Sequence, residues 1–403
     1  MPIDFTPTPG AARLAERTRE FIRGAILQLE DAHGGDINAA GGDVFRERIQ
    51  QQAREAGVFA PHAPTEFGGH GLDMRDRAAV FEEAGYSVFG PTALNIAAPD
   101  EGNMHMLAHI ASPEQKERYL APLCRGEIRS AFAMTEPAPG AGADPAALST
   151  TATRSGGNWR IDGRKVFITG ADGAGFFIIM TRTSGSPGDR GGATMFLAPA
   201  GTPGIEVRRH IRTSDRSMVG GHCEVVFDGV TLPDAAVLGE VDGGYRYAQV
   251  RLGPARMTHV MRWLGSARRA QDITLARAAE RHLFGERLGD LGMAQQMIAD
   301  NEIDLAATRA LLLKACADLD AGDLGTDATS IAKAFGAEAI FRVIDRSIQL
   351  CGGLGVSEDL PLSRLLAEVR PFRIYDGPTE VHRWSIAKRA VRRAVTEARE
   401  QQR

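Results

Sequence analysis

The chain has 403 residues, of which 43% are hydrophobic and 24% charged, and its formal net charge is -4 at pH 7. A chain of this length folds into two or three packed units rather than one small core. The small negative charge argues against nucleic-acid binding as the main function. No apolar run approaches the roughly 20 residues that span a bilayer, so we expect no membrane association.

The cysteines and the first residues bear on the cellular compartment. The four cysteines are scattered and form no Cys-x-x-Cys pair. This spacing argues against a structural zinc site or a disulfide framework, and we predict no metal site. The first ten residues lack the basic start and apolar core of a signal peptide. Reduced thiols and the lack of a targeting pattern together predict a cytoplasmic protein.

Residues 1–129 have the periodicity of helices. Apolar residues recur three and four positions apart in three segments, 14–29, 45–56 and 75–84. Ser112 followed by Pro113 and Glu114 predicts a helix start, with an N-cap serine, a proline at the first position and an acid in the first turn. We therefore predict an N-terminal α-helical domain over this range.

Residues 130–242 change to a period of two, which is typical of strands. The apolar runs 176–180 and 195–197 predict buried strands. Residues 223–228 alternate as a half-exposed strand does, which places Glu224 on the solvent side. Three glycine-containing pairs predict turns, namely Gly156-Gly157, Asp162-Gly163 and Asp228-Gly229. We predict a middle β domain, either an antiparallel barrel or a sandwich.

Residues 243–403 return to a helical period. One apolar stripe runs from Leu291 to Leu312, and a second long helix follows a connection at 322–326. Long helices with short connections predict an antiparallel four-helix bundle as the C-terminal domain. The overall fold class that we predict is therefore α+β, with helical, β and helical regions in that order.

Five short motifs occur along these regions in a fixed order. They are Phe132-Ala133-Met134-Thr135-Glu136-Pro137, Phe167-Ile168-Thr169-Gly170, Arg281-His282-Leu283-Phe284-Gly285, Gln349-Leu350-Cys351-Gly352-Gly353 and Tyr375-Asp376-Gly377. In this order and spacing they resemble the acyl-CoA dehydrogenase family of flavoproteins over essentially the whole chain. The segments Ala98–Met104 and Asp376-Gly377-Pro378 look like the branch that contains the vertebrate types ten and eleven and many bacterial relatives.

The resemblance implies FAD-dependent α,β-dehydrogenation of an acyl-CoA thioester to the trans-2-enoyl-CoA. This chemistry needs a base for the α proton, a flavin whose N5 accepts the β hydride, and donors that hold the thioester carbonyl. In the family the base comes from the tyrosine-acid-glycine motif, which here makes Asp376 the base and Tyr375 and Gly377 substrate contacts. Arg256 matches a family arginine near this loop and is expected to orient the loop or bind substrate. The resemblance also implies an electron-transfer flavoprotein as acceptor and a homodimer or homotetramer.

The resemblance assigns the flavin contacts as well. Met134 and Thr135 are expected to lie against the flavin ring. Phe167 is expected to cover one ring face, and Thr169 to contact the N5 and O4 edge. The expected contacts of the adenosine diphosphate part are Arg281, Phe284 and, from a facing subunit, Gln349, Gly352 and Gly353. The remaining predicted cofactor-binding residues are Phe132, Ala143, Pro378 and Glu380.

The sequence departs from the family pattern in two places. The usual base is glutamate, and Asp376 is shorter by one methylene, or roughly 1.5 Å, although proton transfer needs heavy atoms about 3 Å apart. A few relatives carry the base on the helix near Arg256, but Ala255 occupies that position here. The 137–144 loop is two residues longer than usual, and Ala143 stands where a serine often contacts pyrophosphate. Losing that hydroxyl costs on the order of 1 kcal/mol, for which backbone N–H groups of the loop are expected to substitute.

Two other functions stay open at the level of sequence. Relatives with the same fold and an aspartate base oxidise nitroalkanes and pass electrons to oxygen, but the sequence of residues 376–382 favours the acyl-CoA branch. A flavin-containing DNA-binding relative would need a basic groove. Arginines do cluster between residues 389 and 399, yet Glu397 and Glu400 interleave with them, which indicates a solvated helical face.

Overall fold

The computed structural model of the protein describes residues 5–401. The chain divides into two compact units. The first, called here the sheet unit, contains residues 13–73 and 89–255. The second, called here the helical unit, contains residues 74–88, the chain from Arg256 onward and the short described segment that ends at Ala12.

The part of the chain before the sheet is helical, as its periodicity predicts. Its α-helices are α1 (Pro9–Phe21), α2 (Leu27–Ala32), α3 (Gly42–Glu55), α4 (Met74–Ala84), α5 (Gly90–Ala93), α6 (Asp100–Ile110), α7 (Pro113–Gln115) and α8 (Ala121–Cys124). The predicted helix start at Ser112 is confirmed. Its hydroxyl accepts the backbone N–H of Gln115 at 3.2 Å, and the Gln115 side chain accepts the Ser112 N–H at 3.1 Å.

One mostly antiparallel sheet follows. Its strands are β1 (Ser130–Ala133), β2 (Thr151–Ser155), β3 (Asn158–Thr169), β4 (Phe176–Arg182), β5 (Ala193–Pro199), β6 (Ile205–Ile211), β7 (His222–Pro233) and β8 (Val237–Leu238). They pair in the order β6-β7-β3-β2-β4-β5-β8, and β1 pairs in parallel with β4. The path ends at β6 and β8 without closing on itself. Of the two predicted β architectures, the sandwich fits and the closed barrel does not.

Aromatic and aliphatic side chains of the central strands form the core of the sheet unit. Every residue of β4 is buried, and the rings of Trp159 and Phe196 lie 5.3 Å apart. The predicted buried strands are therefore confirmed. The prediction that Glu224 faces solvent is wrong, because its residue is only 1% exposed. Arg209 covers it and donates from Nε to Oε2 at 2.8 Å, so a paired carboxylate replaces an exposed one.

The three predicted turns have different outcomes. Gly156-Gly157 does turn between β2 and β3, with φ of +55° and +80°. Asp162-Gly163 and Asp228-Gly229 are not turns between strands, since they lie inside β3 and β7. The ladder shifts register at Gly163, where an added Cβ would lie 2.4 Å from Thr150 Oγ1. These glycines mark a strand irregularity and a close approach of two strands rather than chain reversals.

The C-terminal region is built from long helices with short connections, as predicted. The elements are α9 (Gly244–Glu280), β9 (His282–Leu283), β10 (Glu286–Arg287), α10 (Gly292–Asp320), α11 (Thr326–Cys351), α12 (Gly353–Val356), α13 (Leu362–Val369) and α14 (Thr379–Gln401). In the helical unit, α11 packs against α10, α13 and α14. A Cβ on Gly265 would lie 2.1 Å from the Glu82 carbonyl oxygen, so α9 and α4 pack backbone against backbone. None of the described helices is both long and apolar enough to cross a membrane.

Candidate active site

The loop between α13 and α14 contains the acid that the sequence singles out. This Asp376 loop, residues 374–378, follows a short 3-10 turn and ends where α14 begins at Thr379. Asp376 has φ of +54° and Gly377 has φ of +97°. A non-glycine residue in this left-handed region costs about 1–3 kcal/mol of backbone strain. The surrounding structure must therefore hold Asp376 in place.

Three side-chain donors, two of them buried, hold the carbonyl groups of this loop. Arg256 Nε donates to the Asp376 carbonyl oxygen at 2.9 Å, and His382 Nε2 lies 3.2 Å from the same oxygen. Lys333 Nζ donates to the next carbonyl oxygen, that of Gly377, at 2.6 Å. Lys333 is fully buried and His382 is 4% exposed. These donors come from α9, α11 and α14, so three helices fix one strained peptide segment.

Burial shifts the pKa values of these donors. Burial lowers the pKa of Lys333 to about 8, although the Asp376 carboxylate opposes the shift. Burial, followed by the charges of Arg256 and Lys333, lowers the pKa of His382 to about 4. At neutral pH His382 is therefore uncharged, and its hydrogen bond to the Asp376 carbonyl requires the proton on Nε2.

The Asp376 carboxylate lies on the aromatic side of this loop. Its Oδ2 atom is buried, and no residue between 5 and 401 donates a hydrogen bond to it. His259 Nε2 is 3.5 Å away. The Tyr375 ring lies 4.7 Å from the His259 ring and 5.4 Å from the Phe372 ring. A carboxylate oxygen in such a place is shielded from bulk water and able to accept a proton.

A second group of predicted residues meets in the sheet unit, where β1 and β3 end. The Thr135 carbonyl accepts the Val166 N–H at 2.9 Å, which sets Met134 and Thr135 beside the end of β3. Phe167 there is 56% exposed and has φ of +56°. The Thr169 hydroxyl lies 2.9 Å from a ring nitrogen of His222. An exposed aromatic ring held in a strained conformation, next to a hydroxyl, suits stacking on a flat heteroaromatic ligand.

A buried ion pair organises the 137–144 loop beside this group. Glu136 Oε1 accepts Lys165 Nζ at 2.9 Å and the Thr150 N–H at 2.8 Å. Its Oε2 accepts the N–H groups of Ser149 at 2.7 Å and Ala141 at 3.1 Å. Burial would raise the pKa of Glu136, but Lys165 and these donors hold it at about 2. Burial lowers the pKa of Lys165 to about 8 against the pull of Glu136, so the pair is ionised at neutral pH.

The other predicted residues lie at five further places. Phe284 is at the tip of the β9–β10 hairpin, 92% exposed with φ of +53°, and Arg281 directly precedes that hairpin. Gln349 is in the last turn of α11. An added Cβ on Gly352 or Gly353 would meet no atom within 4 Å, so space is open beside that junction. The remaining residues are Phe132 on β1, Ala143 in the exposed part of the 137–144 loop, and Pro378 and Glu380 around the start of α14. Their roles stay predictions.

Three of the predicted residues have a strained backbone. Within residues 5–401, six non-glycine residues have φ in the left-handed region, and three of them are Phe167, Phe284 and Asp376. Such strain persists only where the surroundings enforce it, and it clusters at functional sites. The strain is an observation independent of the motifs, and half of the described non-glycine residues that show it are predicted site residues.

Sequence reasoning assigned no role to four side chains that the structure places around these residues. Lys165 and Lys333 are fully buried, and His259 and His382 lie close to the Asp376 loop. A weak signal exists for Lys333, which stands between two alanines, whereas Lys165 directly follows Arg164 and has no such signal. A buried lysine is rare unless paired. The two histidines carried no comparable signal.

Comparison with known families identifies the chain. Residues 8–127, 131–230 and 242–391 match the N-terminal, middle and C-terminal domains of acyl-CoA dehydrogenases. The chain therefore belongs to the acyl-CoA dehydrogenase family and is an oxidoreductase of that class. The resemblance inferred from the motifs is confirmed.

Similar proteins come from bacteria and vertebrates. "Probable acyl-CoA dehydrogenase FadE2" of Mycobacterium tuberculosis is 35% identical over 96% of this chain and 96% of its own length. (R)-benzylsuccinyl-CoA dehydrogenase of Thauera aromatica is 35% identical over 96% and 97% of the two chains. Human acyl-CoA dehydrogenase family member 11 is 32% identical over 96% of this chain. The present chain spans about half of that vertebrate relative, 51% of its length.

Solved structures show the same fold. Butyryl-CoA dehydrogenase from Megasphaera elsdenii has a TM-score of 0.85 and 25% identity, over 96% of this chain and all of the other. The FAD complex of PigA has a TM-score of 0.87 at 24% identity, over 97% of this chain and all of the other. Because the sequence identity to PigA is only 24%, that similarity is evidence for the fold alone.

Proposed function

We propose that this protein catalyses the FAD-dependent α,β-dehydrogenation of an acyl-CoA thioester and that Asp376 is the base. The observation that carries the proposal is Asp376 itself, a strained residue whose buried Oδ2 receives no hydrogen bond from any described residue. Membership of the acyl-CoA dehydrogenase family supports the reaction class. An aspartate in a surface turn can also adopt a positive φ, but it would have neither the buried oxygen nor the three side-chain donors behind it.

The chain's own groups perform the proton step. The Asp376 carboxylate takes the α proton, and the electron pair of that C–H bond stays on the acyl thioester. The Arg256, His382 and Lys333 side chains bind the carbonyls of residues 376 and 377, so the loop does not rotate away during the transfer. We assign the backbone N–H of Asp376 to the thioester oxygen, where negative charge develops.

The residues at the ends of β1 and β3 suit FAD. Phe167 offers an exposed ring face, Thr169 a hydroxyl, and Thr135 backbone groups next to them. When bound, FAD supplies the acceptor for the β hydride. We assign Met134 to the same place, and we assign Arg281, Phe284, Gln349, Gly352 and Gly353 to the adenosine diphosphate part. The open space beside the two glycines is consistent with close approach of a ligand to the backbone.

The wider setting is part of the proposal. We propose an electron-transfer flavoprotein as the electron acceptor, a homodimer or homotetramer as the assembly, and the cytoplasm as the compartment. The name of the Thauera relative indicates that CoA thioesters with bulky acyl groups occur as substrates among proteins of this similarity. We therefore include branched and aryl-substituted acyl-CoAs among the candidate substrates.

The test is anaerobic reduction of the purified holoenzyme by acyl-CoAs of graded length and branching, with nitroethane as the competing substrate. Asp376→Asn should keep its flavin but lose at least 100-fold in the rate of flavin bleaching, since a general base contributes about 10²–10⁴. Asp345→Asn, an exposed aspartate on α11, is the matched control and should bleach normally. Normal bleaching by acyl-CoA in Asp376→Asn would contradict the assignment. Bleaching by nitroethane but by no acyl-CoA would favour the oxidase alternative.

A further inference from the structure

His259 on α9 has no part in the function proposed above, yet it is placed next to the base. The residue is 7% exposed, and its ring lies 4.7 Å from the Tyr375 ring and 5.8 Å from the Phe372 ring. Its Nε2 atom is 3.5 Å from Asp376 Oδ2. The aromatic neighbours fix the plane of the imidazole, so this nitrogen points at the carboxylate in a defined orientation.

The hydrogen bonds of the other ring nitrogen decide where the proton is. Arg262 NH2 lies 2.9 Å from His259 Nδ1. A guanidinium group can only donate, so Nδ1 must be an unprotonated acceptor. The Tyr375 hydroxyl is 3.3 Å from the same nitrogen, and its oxygen already accepts Trp263 Nε1 at 2.6 Å. The Tyr375 hydroxyl can act as a donor, so its position is compatible with an unprotonated Nδ1, which the Arg262 contact establishes. His259 is the neutral tautomer with its proton on Nε2.

This tautomer sets a donor opposite an acceptor that lacks one. The His259 Nε2–H group faces Asp376 Oδ2, which receives no hydrogen bond from residues 5–401. The separation of 3.5 Å is longer than an ordinary hydrogen bond of 2.7–3.2 Å. Hydrogen bonds between catalytic groups are often long without substrate and shorten in the substrate complex.

We propose that His259 is a positioning residue for the base: its Nε2–H binds Oδ2 of Asp376 in the substrate complex, so that Oδ1 takes the α proton. The inference rests on the proposed function of Asp376. In this step the substrate C–H bond breaks, the O–H bond forms at Oδ1, and the electron pair remains on the thioester. His259 does not receive the proton, because Nε2 already carries one and Nδ1 is bound by Arg262.

The same contact gives a reason why an aspartate serves here. A short side chain has only two rotatable bonds, and fixing one of its oxygens from α9 fixes the direction of the other. A longer glutamate would bring its carboxylate past the imidazole. Asp376 reaches less far than glutamate because it lacks one methylene. The His259 contact offsets this shorter reach by orienting the carboxylate.

The test measures proton abstraction without dehydrogenation. A 3-thiaacyl-CoA has sulfur in place of the β carbon, so its α protons can leave but it has no β hydride to transfer. The holoenzyme is incubated with this probe in D₂O, and deuterium at the α carbon is followed by mass spectrometry. His259→Leu should slow the exchange about 10- to 100-fold, the range for losing a hydrogen bond to a charged group. Its dissociation constant for the probe, read from the flavin spectrum, should stay within about threefold.

Conservative and competing variants separate the outcomes. His259→Gln keeps an N–H near the position of Nε2 and should recover most of the exchange rate, whereas a role in packing predicts no recovery. His259→Met also removes the donor but has a differently shaped side chain. It replaces His259→Leu in the test if the leucine variant does not fold. Unchanged exchange in Leu and Met, or equal slowing in Leu, Met and Gln, overturns the inference and leaves the proposed function standing. Exchange at the wild-type rate in Asp376→Asn overturns both.

Discussion

The Asp376 loop and the 137–144 loop are both held by buried charge, but with opposite polarity. In the Asp376 loop, Arg256 and Lys333 donate to backbone carbonyl oxygens. At the 137–144 loop, the Glu136 carboxylate accepts the N–H group of Ala141 within the loop and those of Ser149 and Thr150 shortly after it. One loop is therefore fixed through its acceptors and the other through its donors.

This difference decides which backbone groups each loop can offer to a ligand. The carbonyls at residues 376 and 377 are bound, and the Ile374 and Tyr375 N–H groups both donate to the Pro371 carbonyl. In the proposed function this leaves the N–H groups of Asp376 and Gly377 for an electron-rich thioester oxygen. Glu136 binds the Ala141 N–H, and the Gly140 N–H donates to the Pro137 carbonyl at 2.9 Å. Backbone compensation for the missing serine hydroxyl at Ala143 is thus confined to the tip of that loop.

The largest effect is expected when the buried Glu136–Lys165 ion pair beside the 137–144 loop is broken. Glu136→Gln keeps the shape but leaves the Lys165 ammonium buried without its carboxylate. Removing one partner of a buried pair costs about 3–5 kcal/mol. We expect this loss in the free energy of unfolding of the holoenzyme, measured by urea denaturation, together with weaker FAD binding.

The control for this change is Glu206→Gln, which alters an exposed glutamate on β6 of the same unit. It should leave both the unfolding free energy and the FAD affinity within about 0.5 kcal/mol of wild type. If Glu136→Gln behaves like this control, the ion pair does not organise the loop, and the contrast between the two loops disappears.

The second prediction concerns the pH dependence of the unfolding free energy, which reports on His382 beside the Asp376 loop. The pKa of His382 is about 4 in the folded protein, below its ordinary value of 6.5, because of burial and the neighbouring cations. Between these two pH values the unfolded chain binds more protons at His382 than the folded one. The contribution of His382 to the unfolding free energy is therefore fully present above pH 6.5 and is lost as the pH falls toward 4. The contribution is roughly 3 kcal/mol.

The measurement compares wild type with His382→Gln, whose side chain keeps a donor for the Asp376 carbonyl but does not titrate. Urea denaturation at several pH values should show that wild type loses about 3 kcal/mol more than the variant on acidification through this range. Parallel pH profiles would mean that His382 is charged in the folded protein and that the loop is held differently.

The fold was largely predictable because its signals are local. Helical and strand periods, the Ser112 cap and the Gly156-Gly157 turn each depend on neighbouring residues. The two wrong turns show the limit. Asp162-Gly163 and Asp228-Gly229 have the composition of turns, but whether a glycine ends a strand or bends it depends on the strand that packs against it. Thr150 and the facing strand supply that information only after folding.

The sequence predicted those parts of the candidate site that lie in contiguous motifs. It did not predict the supporting side chains that are distant along the chain. Asp376 was found from three adjacent residues. Its supporting side chains, Lys333 and His259, are 43 and 117 positions away in the printed chain. Each is an ordinary residue on its own helix, and its role follows from three-dimensional proximity to the loop. The buried Lys165 was equally hidden, because its partner Glu136 lies on another segment.

The smallest effect concerns how tightly the Asp376 loop is packed. An alanine Cβ at position 377 would lie 2.9 Å from His382 Nε2, and φ there is +97°. Gly68 in the sheet unit has φ of +88° and no atom within 4 Å of an added Cβ, so Gly68→Ala measures backbone strain without crowding. We expect Gly68→Ala to cost about 1 kcal/mol of stability and Gly377→Ala about 1–2 kcal/mol more, because the His382 ring must move. Movement of that ring would also release the Asp376 carbonyl, so Gly377→Ala alone should slow α-proton exchange. Equal costs in the two variants would show that His382 yields easily, and the loop would then be fixed by Arg256 and Lys333 without it.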